Sequence, residues 1–329
     1  MEELLAGLRA IAETTRLRLL FALSHGEFNV SELTQILGQS QPRVSRHLKL
    51  MSEAGLLSRY KEGSWVLFRL REEDLGGAVA RAIVNLLPGN DELLARDLAR
   101  MEEIRAKRAD AAQAYFKTNA ANWAEMRSLH VREEDVEAAM LRALGNAPVQ
   151  SHIDLGTGTG RILQLLAPLT AQAVGLDSSR DMLAIARSAI EASGLKHVQV
   201  RHGDLYALPF VNESADLVTI HQVLHFLDDP QRALAEASRA LKPGGRLLIV
   251  DFAPHDLEKL REEHAHRRLG IASELMTGWL QRIGLQLDRL DVLPPPWRAD
   301  GQGLTVSLWL AMRTQPATSN TNQNAGAKA

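Results

Sequence analysis

The stretch SHIDLGTGTGRIL, Ser151 to Leu163, leaves few folds open. A strand-like run reaches an acid, Asp154, and Gly156, Gly158 and Gly160 follow at alternate positions. Glycines there let the backbone turn tightly and approach a ligand closely. Around this loop, strand-like runs alternate with helix-like segments: Val149–Leu155, Ala171–Asp177, His197–His202, Asp216–His221 and Arg246–Asp251. That alternation predicts a parallel sheet with helices on its faces. Two further runs, Leu285–Leu293 and Leu304–Met312, lie on either side of Pro294-Pro295-Pro296 and bring the count to seven. The second half of the chain is expected to be a doubly wound, Rossmann-like α/β domain.

The first half reads differently. Leu4, Leu5, Leu8 and Ile11, then Leu17, Leu19, Leu20 and Leu23, follow helical spacing. Thr14 or Thr15 is placed to cap the second helix and Ser31 a short third one. A fourth helix starts at Ser40 or Gln41, with Pro42 in its first turn, where no amide hydrogen is missed. Gly55 closes it, and LLSRYKEGSWVLFRL alternates around Glu62-Gly63 as a hairpin does. The order is four helices and a two-stranded wing. Residues 91–114 carry only a narrow seam of Leu94, Leu98, Met101 and Ile104, which suits a connecting rod or a partner helix more than a core. The expected organisation is therefore 1–88 winged helix-turn-helix, 89–130 helical linker and lid, 131–313 α/β domain, and a polar, disordered tail at 314–329.

At 329 residues, two domains are the natural expectation. The net charge of −2 means that any nucleic-acid binding must come from a local patch. With no cysteine, disulfides, thiolate metal sites and cysteine nucleophiles are excluded. This fits a cytoplasmic protein, as does the lack of a signal-like start and of a run of about 18 apolar residues.

The local patch lies between Gln41 and Trp65. With Val44, Leu48 and Met51 turned inward, Gln41, Arg43, Ser45, Arg46 and Lys49 face outward, and His47 adds a donor. Gln and Arg read base edges, while Ser and Lys hold phosphates. On the wing, Arg59, Lys61 and Ser64 are placed for backbone or minor groove. The segments AETTRLRLLFAL, VSELTQILGQSQPRVSRHLKLMSEAGLL and YKEGSWVLFRL resemble winged-helix repressors of the arsenical-resistance (ArsR) type, over about Leu5 to Leu70. The resemblance implies a homodimer on a palindromic double-stranded DNA operator. Metal-sensing members use cysteines or clustered His and acidic residues. This chain has no Cys and no His between Phe68 and Asp110, so no metal site is expected.

In the second half, acids close successive strands. Asp154 precedes the glycine loop and suits a cationic ligand. Asp177, followed by Ser178, suits the two hydroxyls of a ribose. Asp204, beside Leu205, suits an adenine. A dinucleotide fingerprint wants its third glycine three residues after the second, where this chain has Arg161, at a pyrophosphate. Three acids without a phosphate clamp point instead to S-adenosyl-L-methionine. With DLVTIHQVLHFLDDP and ALKPGGRLLIVDF, the pattern resembles class I methyltransferases, over about Tyr115 to Arg313, closest in type to the small-molecule branch of quinone-biosynthesis methyltransferases. The resemblance implies that Asp154, Gly156, Gly158 and the remaining loop residues Thr157 and Gly160 line the methionine side. It places Asp177 and Ser178 at the ribose, Asp204 and Leu205 at the adenine, and His221 and Gln222 near the methyl-transfer point. Thr157 replaces the cysteine common in that loop, a change a backbone cradle tolerates. His255, after the fifth strand, is a candidate general base beside His221.

Arsenite methylation runs through cysteine thiolates in its known family, and this chain has none. Amino-methylating nucleic-acid enzymes usually carry an Asn/Asp-Pro-Pro-aromatic run where this chain reads DLVTIHQVLHF. Two readings stay open. In one, a DNA-binding regulator couples cofactor occupancy to operator binding and methylates a small molecule. In the other, a small-molecule methyltransferase carries an autoregulatory DNA-binding domain.

Overall fold

The structure is a computed structural model that describes residues 1–62, 65–71, 74–120, 132–295 and 303–314. The hairpin tip with Ser64, part of the expected linker, and the expected tail from 315 onward lie outside the described residues. The chain divides into two compact units. The division does not follow the expected linear boundaries. Unit one comprises Met1–Asn119 together with His225–Pro230 and Pro254–Gly270, and unit two holds the rest.

Unit one begins with α1 (Glu2–Ile11), α2 (Thr14–Ser24), a short strand β1 (Phe28–Asn29), α3 (Val30–Leu37) and α4 (Gln41–Glu53). The wing strands β2 (Leu57–Glu62) and β3 (Trp65–Leu70) follow. The caps differ from those expected. The Glu13 carboxylate, not a threonine, accepts from the Arg16 amide at the start of α2. Asn29 rather than Ser31 caps α3, in a reciprocal box with Glu32. Such boxes satisfy two amides that the first helical turn leaves without partners. The sheet gains a third strand because Phe28, fully buried, pairs with Phe68, giving the order β1-β3-β2. Leu19, Leu20, Leu33, Ile36, Leu48, Met51 and Leu56 form the core.

α5 (Leu75–Leu86) starts at Asp74, whose carboxylate accepts from the Gly77 amide at 3.0 Å. α6 (Glu92–Asn119) covers the expected rod, but Met101 and Ile104 belong to the same core as α2 and α3. The narrow seam is thus a packing face, and burying each of those side chains contributes about 1.5–3 kcal/mol. The buried Asp97 takes a two-pronged bond from Arg18, at 2.6 Å on each oxygen, anchoring α6 to α2.

Unit two opens with α7 (Glu133–Leu144) and β4 (Val149–Leu155), then α8 (Arg161–Leu166), β5 (Thr170–Asp177), α9 (Arg180–Ala192) and β6 (Val198–His202). β7 (Ala215–His221), α10 (Pro230–Ala240) and β8 (Leu241–Phe252) complete the parallel part. α11 (Glu258–Glu263) lies in the segment assigned to unit one. α12 (Ser273–Arg282), β9 (Leu285–Leu293) and β10 (Val306–Arg313) close the fold. The seven strands run in the order β6-β5-β4-β7-β8-β10-β9, with β10 antiparallel to both neighbours. All seven expected strands are present. The chain moves outward from β4 to β5 and β6, then returns to the other side at β7. Open α/β sheets bind ligands at such a reversal, beyond the carboxyl ends of the strands. Among the described residues, no helix is long and apolar enough to cross a membrane.

Candidate functional site

The carboxyl ends of β4, β5 and β7, with the turn after β6, carry most of the cofactor candidates. The glycine loop follows β4 directly. Gly156, Gly158 and Gly160 have φ of 71°, 52° and 82°, a left-handed conformation that side chains resist. At Gly156 space also excludes a side chain: an added Cβ would lie 2.4 Å from a Val223 methyl. The loop is tied to β5 by the amides of Gly156 and Thr157, which donate to the Leu176 carbonyl at 2.8 and 3.0 Å.

The Asp177 carboxylate completes that tie. Its Oδ2 accepts from the Gly158 amide and its Oδ1 from the Ser179 amide, both at 2.8 Å. Loss of hydration raises the Asp177 pKa above its ordinary value. The amides of Ser179, Gly158 and Ser178 oppose that rise, as does nearby His202. Ser178 is exposed on the rim. Asp204 is also exposed, its Oδ1 accepting from the Tyr206 amide at 2.9 Å, with Leu205 half-buried beside it.

Asp154 lies deeper, 1% exposed, and its Oδ1 is 2.6 Å from the Thr219 hydroxyl on β7. The same hydroxyl is 2.8 Å from Nε2 of the buried His152. Neither His152 nor Thr219 stood out in the sequence. The signal available was a histidine two residues before Asp154, on the same face of a central strand. At the end of β7, half-buried His221 leads into Gln222, a non-glycine residue at φ 54° whose amide donates to the Val250 carbonyl at 2.7 Å. Backbone held in that region is strained, and such strain collects at functional sites.

One cation follows the loop. Arg161 is drawn to Glu137, each of two nitrogens 2.6 Å from a carboxylate oxygen. It is therefore not available as a phosphate clamp.

His255 falls in unit one, within Pro254–Gly270, and not in unit two with His221. Its Nδ1 accepts from the Leu257 amide at 3.3 Å, which leaves the proton of a neutral ring on Nε2. A ring protonated there does not offer that nitrogen as a base, so the geometry lends the expected role no support.

The other candidate surface is α4 and the wing. Gln41, Arg43, Ser45, Arg46 and Lys49 are exposed, while Val44, Leu48 and Met51 are buried, as the spacing predicted. Arg59 and Lys61 are exposed on β2. His47 departs from expectation. It is half-buried and faces Glu13 at 3.9 Å, and burial lowers its pKa.

Behind this surface, unit one contains charges that the sequence did not reveal. Arg108 on α6 bridges Glu32 of the α3 cap and Asp228, the latter at 2.6 Å. Arg267 reaches the same Asp228 at 2.8 Å. Arg268, 8% exposed, holds Glu27 at 2.9 Å. Arg261 lies over the ring of Trp65, next to the hairpin turn of the wing, 4.2 Å from its centre.

An α/β sheet with a strand-end glycine loop and a winged helix with an exposed basic helix thus have the architecture of a methyltransferase-type domain joined to a DNA-binding regulator type. The comparisons with known proteins agree. Residues 13–59 match the family model for bacterial regulatory proteins of the arsR family, and residues 153–249 match that for the methyltransferase domain. The chain carries an ArsR-type helix-turn-helix and a methyltransferase domain. The methyltransferase YcgJ of Bacillus subtilis is 32% identical over 105 residues, covering 32% of this chain and 42% of that protein. Demethylmenaquinone methyltransferase of Thermus thermophilus is 42% identical over 114 residues, 34% of this chain and 51% of that enzyme. The chain thus spans about half the length, or less, of these curated relatives. Among solved structures, a chain from the Haloferax volcanii complex between the Trm112 methyltransferase activator and a methyltransferase shares the fold. Its TM-score is 0.50 at 21% identity, over 61% of this chain and 98% of that one.

Proposed function

We propose that the chain is an operator-binding regulator whose methyltransferase domain binds S-adenosylmethionine, and that cofactor occupancy shifts operator affinity. When bound, S-adenosylmethionine supplies an electrophilic methyl group on its sulfonium. The observation that carries the reading is the Asp177 carboxylate, fixed by the Gly158 and Ser179 amides while Arg161 is held away by Glu137. That donor set suits the hydroxyls of a ribose.

In this reading Asp177 and Ser178 take the ribose hydroxyls, Asp204 and Leu205 the adenine, and Asp154 with the loop of Gly156, Thr157, Gly158 and Gly160 the amino-acid end. His221 and Gln222 border the transferred methyl and a small acceptor. Transfer needs little beyond in-line alignment, which a rigid, pre-formed edge provides.

The α4 face enters the major groove, with Gln41, Arg43 and Arg46 toward base edges and Ser45 and Lys49 toward phosphates. Arg59 and Lys61 take the flanking backbone. A homodimer on a palindrome follows from the ArsR resemblance. Support for coupling comes from the chain path: only Gln222, Val223 and Leu224 separate His221 from the His225–Pro230 segment that unit one incorporates. A ligand that biases the end of β7 thereby bears on Asp228 and the charges around it, as linked binding requires.

The test is calorimetric titration of the protein with S-adenosylmethionine and S-adenosylhomocysteine. Micromolar binding lost in Asp177→Ala supports the site. No binding of either ligand removes the cofactor reading and leaves a winged-helix regulator.

A further inference from the structure

Asp154, Thr219 and His152 form a line across two neighbouring strands. Thr219 pairs with Asp154 in the β4–β7 register, and its hydroxyl lies between Asp154 Oδ1 at 2.6 Å and His152 Nε2 at 2.8 Å. All three residues are 2% exposed or less.

A hydroxyl has one proton to give, so only two arrangements satisfy both contacts. In one, His152 carries its proton on Nε2 and donates to Thr219, which donates to an ionised Asp154. In the other, Thr219 donates to His152, whose proton sits on Nδ1, and Asp154 must itself be protonated. His152 Nδ1 is buried and has no hydrogen-bond partner among the described residues. A proton placed there would be a buried donor without an acceptor, which costs more than an idle lone pair. Burial also pushes the His152 pKa down to about 3, so a doubly protonated ring is not an alternative.

We infer that His152 and Thr219 are positioning residues that keep the Asp154 carboxylate ionised and aimed, so that it receives the ammonium group at the amino-acid end of the cofactor. This rests on the S-adenosylmethionine reading above. The want of an acceptor at Nδ1 fixes the histidine tautomer, the tautomer fixes the direction of the threonine hydroxyl, and the hydroxyl holds the carboxylate. His152 and Thr219 touch no ligand themselves.

The test uses two ligands that differ at the amino-acid end. S-adenosylhomocysteine carries the ammonium group, whereas 5′-methylthioadenosine keeps the nucleoside and lacks the amino acid. Both are titrated into the full chain and into Thr219→Val, Thr219→Ser, His152→Val and His152→Gln. Thr219→Val is expected to weaken S-adenosylhomocysteine about tenfold and 5′-methylthioadenosine less than twofold. Thr219→Ser, which retains the hydroxyl, should return to within about twofold of the parent, and His152→Gln, which retains a donor near Nε2, should bind better than His152→Val. Nitrogen NMR of the parent should find the His152 proton on Nε2. Equal losses for both ligands would mean a purely structural role and overturn the inference, as would a proton on Nδ1. Unchanged S-adenosylhomocysteine binding in Thr219→Val would also overturn it, while leaving the cofactor reading intact. A parent chain that binds neither ligand would sink both.

Discussion

The two units use charge in opposite ways. In unit two the charges singled out for function are acids, and Asp154 and Asp177 are held by amides and side chains at a strand end. In unit one they are cations, and Arg46, Arg59 and Lys61 are exposed on α4 and β2. The buried Arg268 and half-buried Arg108 and Arg267 of unit one are committed to Glu27, Glu32 and Asp228 and hold the unit together. A small ligand that must be oriented is served by pre-paid, rigid partners. A polyanion bound by counterion release is served by mobile, hydrated ones. The lesson is that residue type alone does not separate the arginines that hold the unit together from those proposed for DNA, whereas burial does.

The largest effect should come from breaking a buried pairing in unit one. Arg108→Ala removes one of the two arginines on Asp228 and the nearer of the two on Glu32, and a loss of about 3 kcal/mol in denaturant unfolding is expected. If that variant unfolds like the parent, the contrast between structural and functional arginines fails. Next, Asp177→Ala removes the acceptor of two amides and the proposed ribose contact. A loss of roughly 100-fold in S-adenosylhomocysteine affinity is expected by calorimetry. Because the Asp177 pKa is raised, that affinity should fall on acidification at a higher pH than an ordinary aspartate would give.

Arg46→Ala should cost operator affinity about 1–3 kcal/mol in a gel-shift titration and leave cofactor affinity unchanged. His152 sharpens the comparison through pH. Its folded pKa of about 3 lies below the unfolded value near 6.5, so the unfolded chain takes up the proton first. Stability should therefore be lost as pH falls from about 6.5 toward 3, at about 1.4 kcal/mol per unit, and His152→Gln should flatten that slope. The smallest effect belongs to Lys61→Ala, which should weaken DNA binding evenly across sequences and lower the salt slope by about one.

Much of this was legible in the sequence. The seven strands follow from periodicity, and the glycine loop is placed by its glycines. The inward face of Val44, Leu48 and Met51 follows from spacing of three and four. What escaped depends on contacts far apart in the chain. Arg268 and Glu27 lie 241 positions apart, and no local pattern joins them. The same holds for Arg108, Asp228 and Arg267, and it explains why the 91–114 seam read as a rod when its partners were α2 and α3. His152 and Thr219 are 67 positions apart and meet only through strand register. Helix caps were misplaced because Glu13 and Asn29 compete with several neighbouring hydroxyls that pattern alone ranks equally.

The central claim is that one chain links operator and cofactor. It is tested most directly by titrating S-adenosylhomocysteine into the full chain with and without DNA from upstream of its own coding sequence. The account predicts that saturating DNA shifts the dissociation constant by about fivefold or more, with a reciprocal shift in DNA affinity when the ligand is present. Tight binding of both ligands with identical constants in each titration would contradict it, and would leave a regulator and an enzyme sharing a polypeptide without communicating.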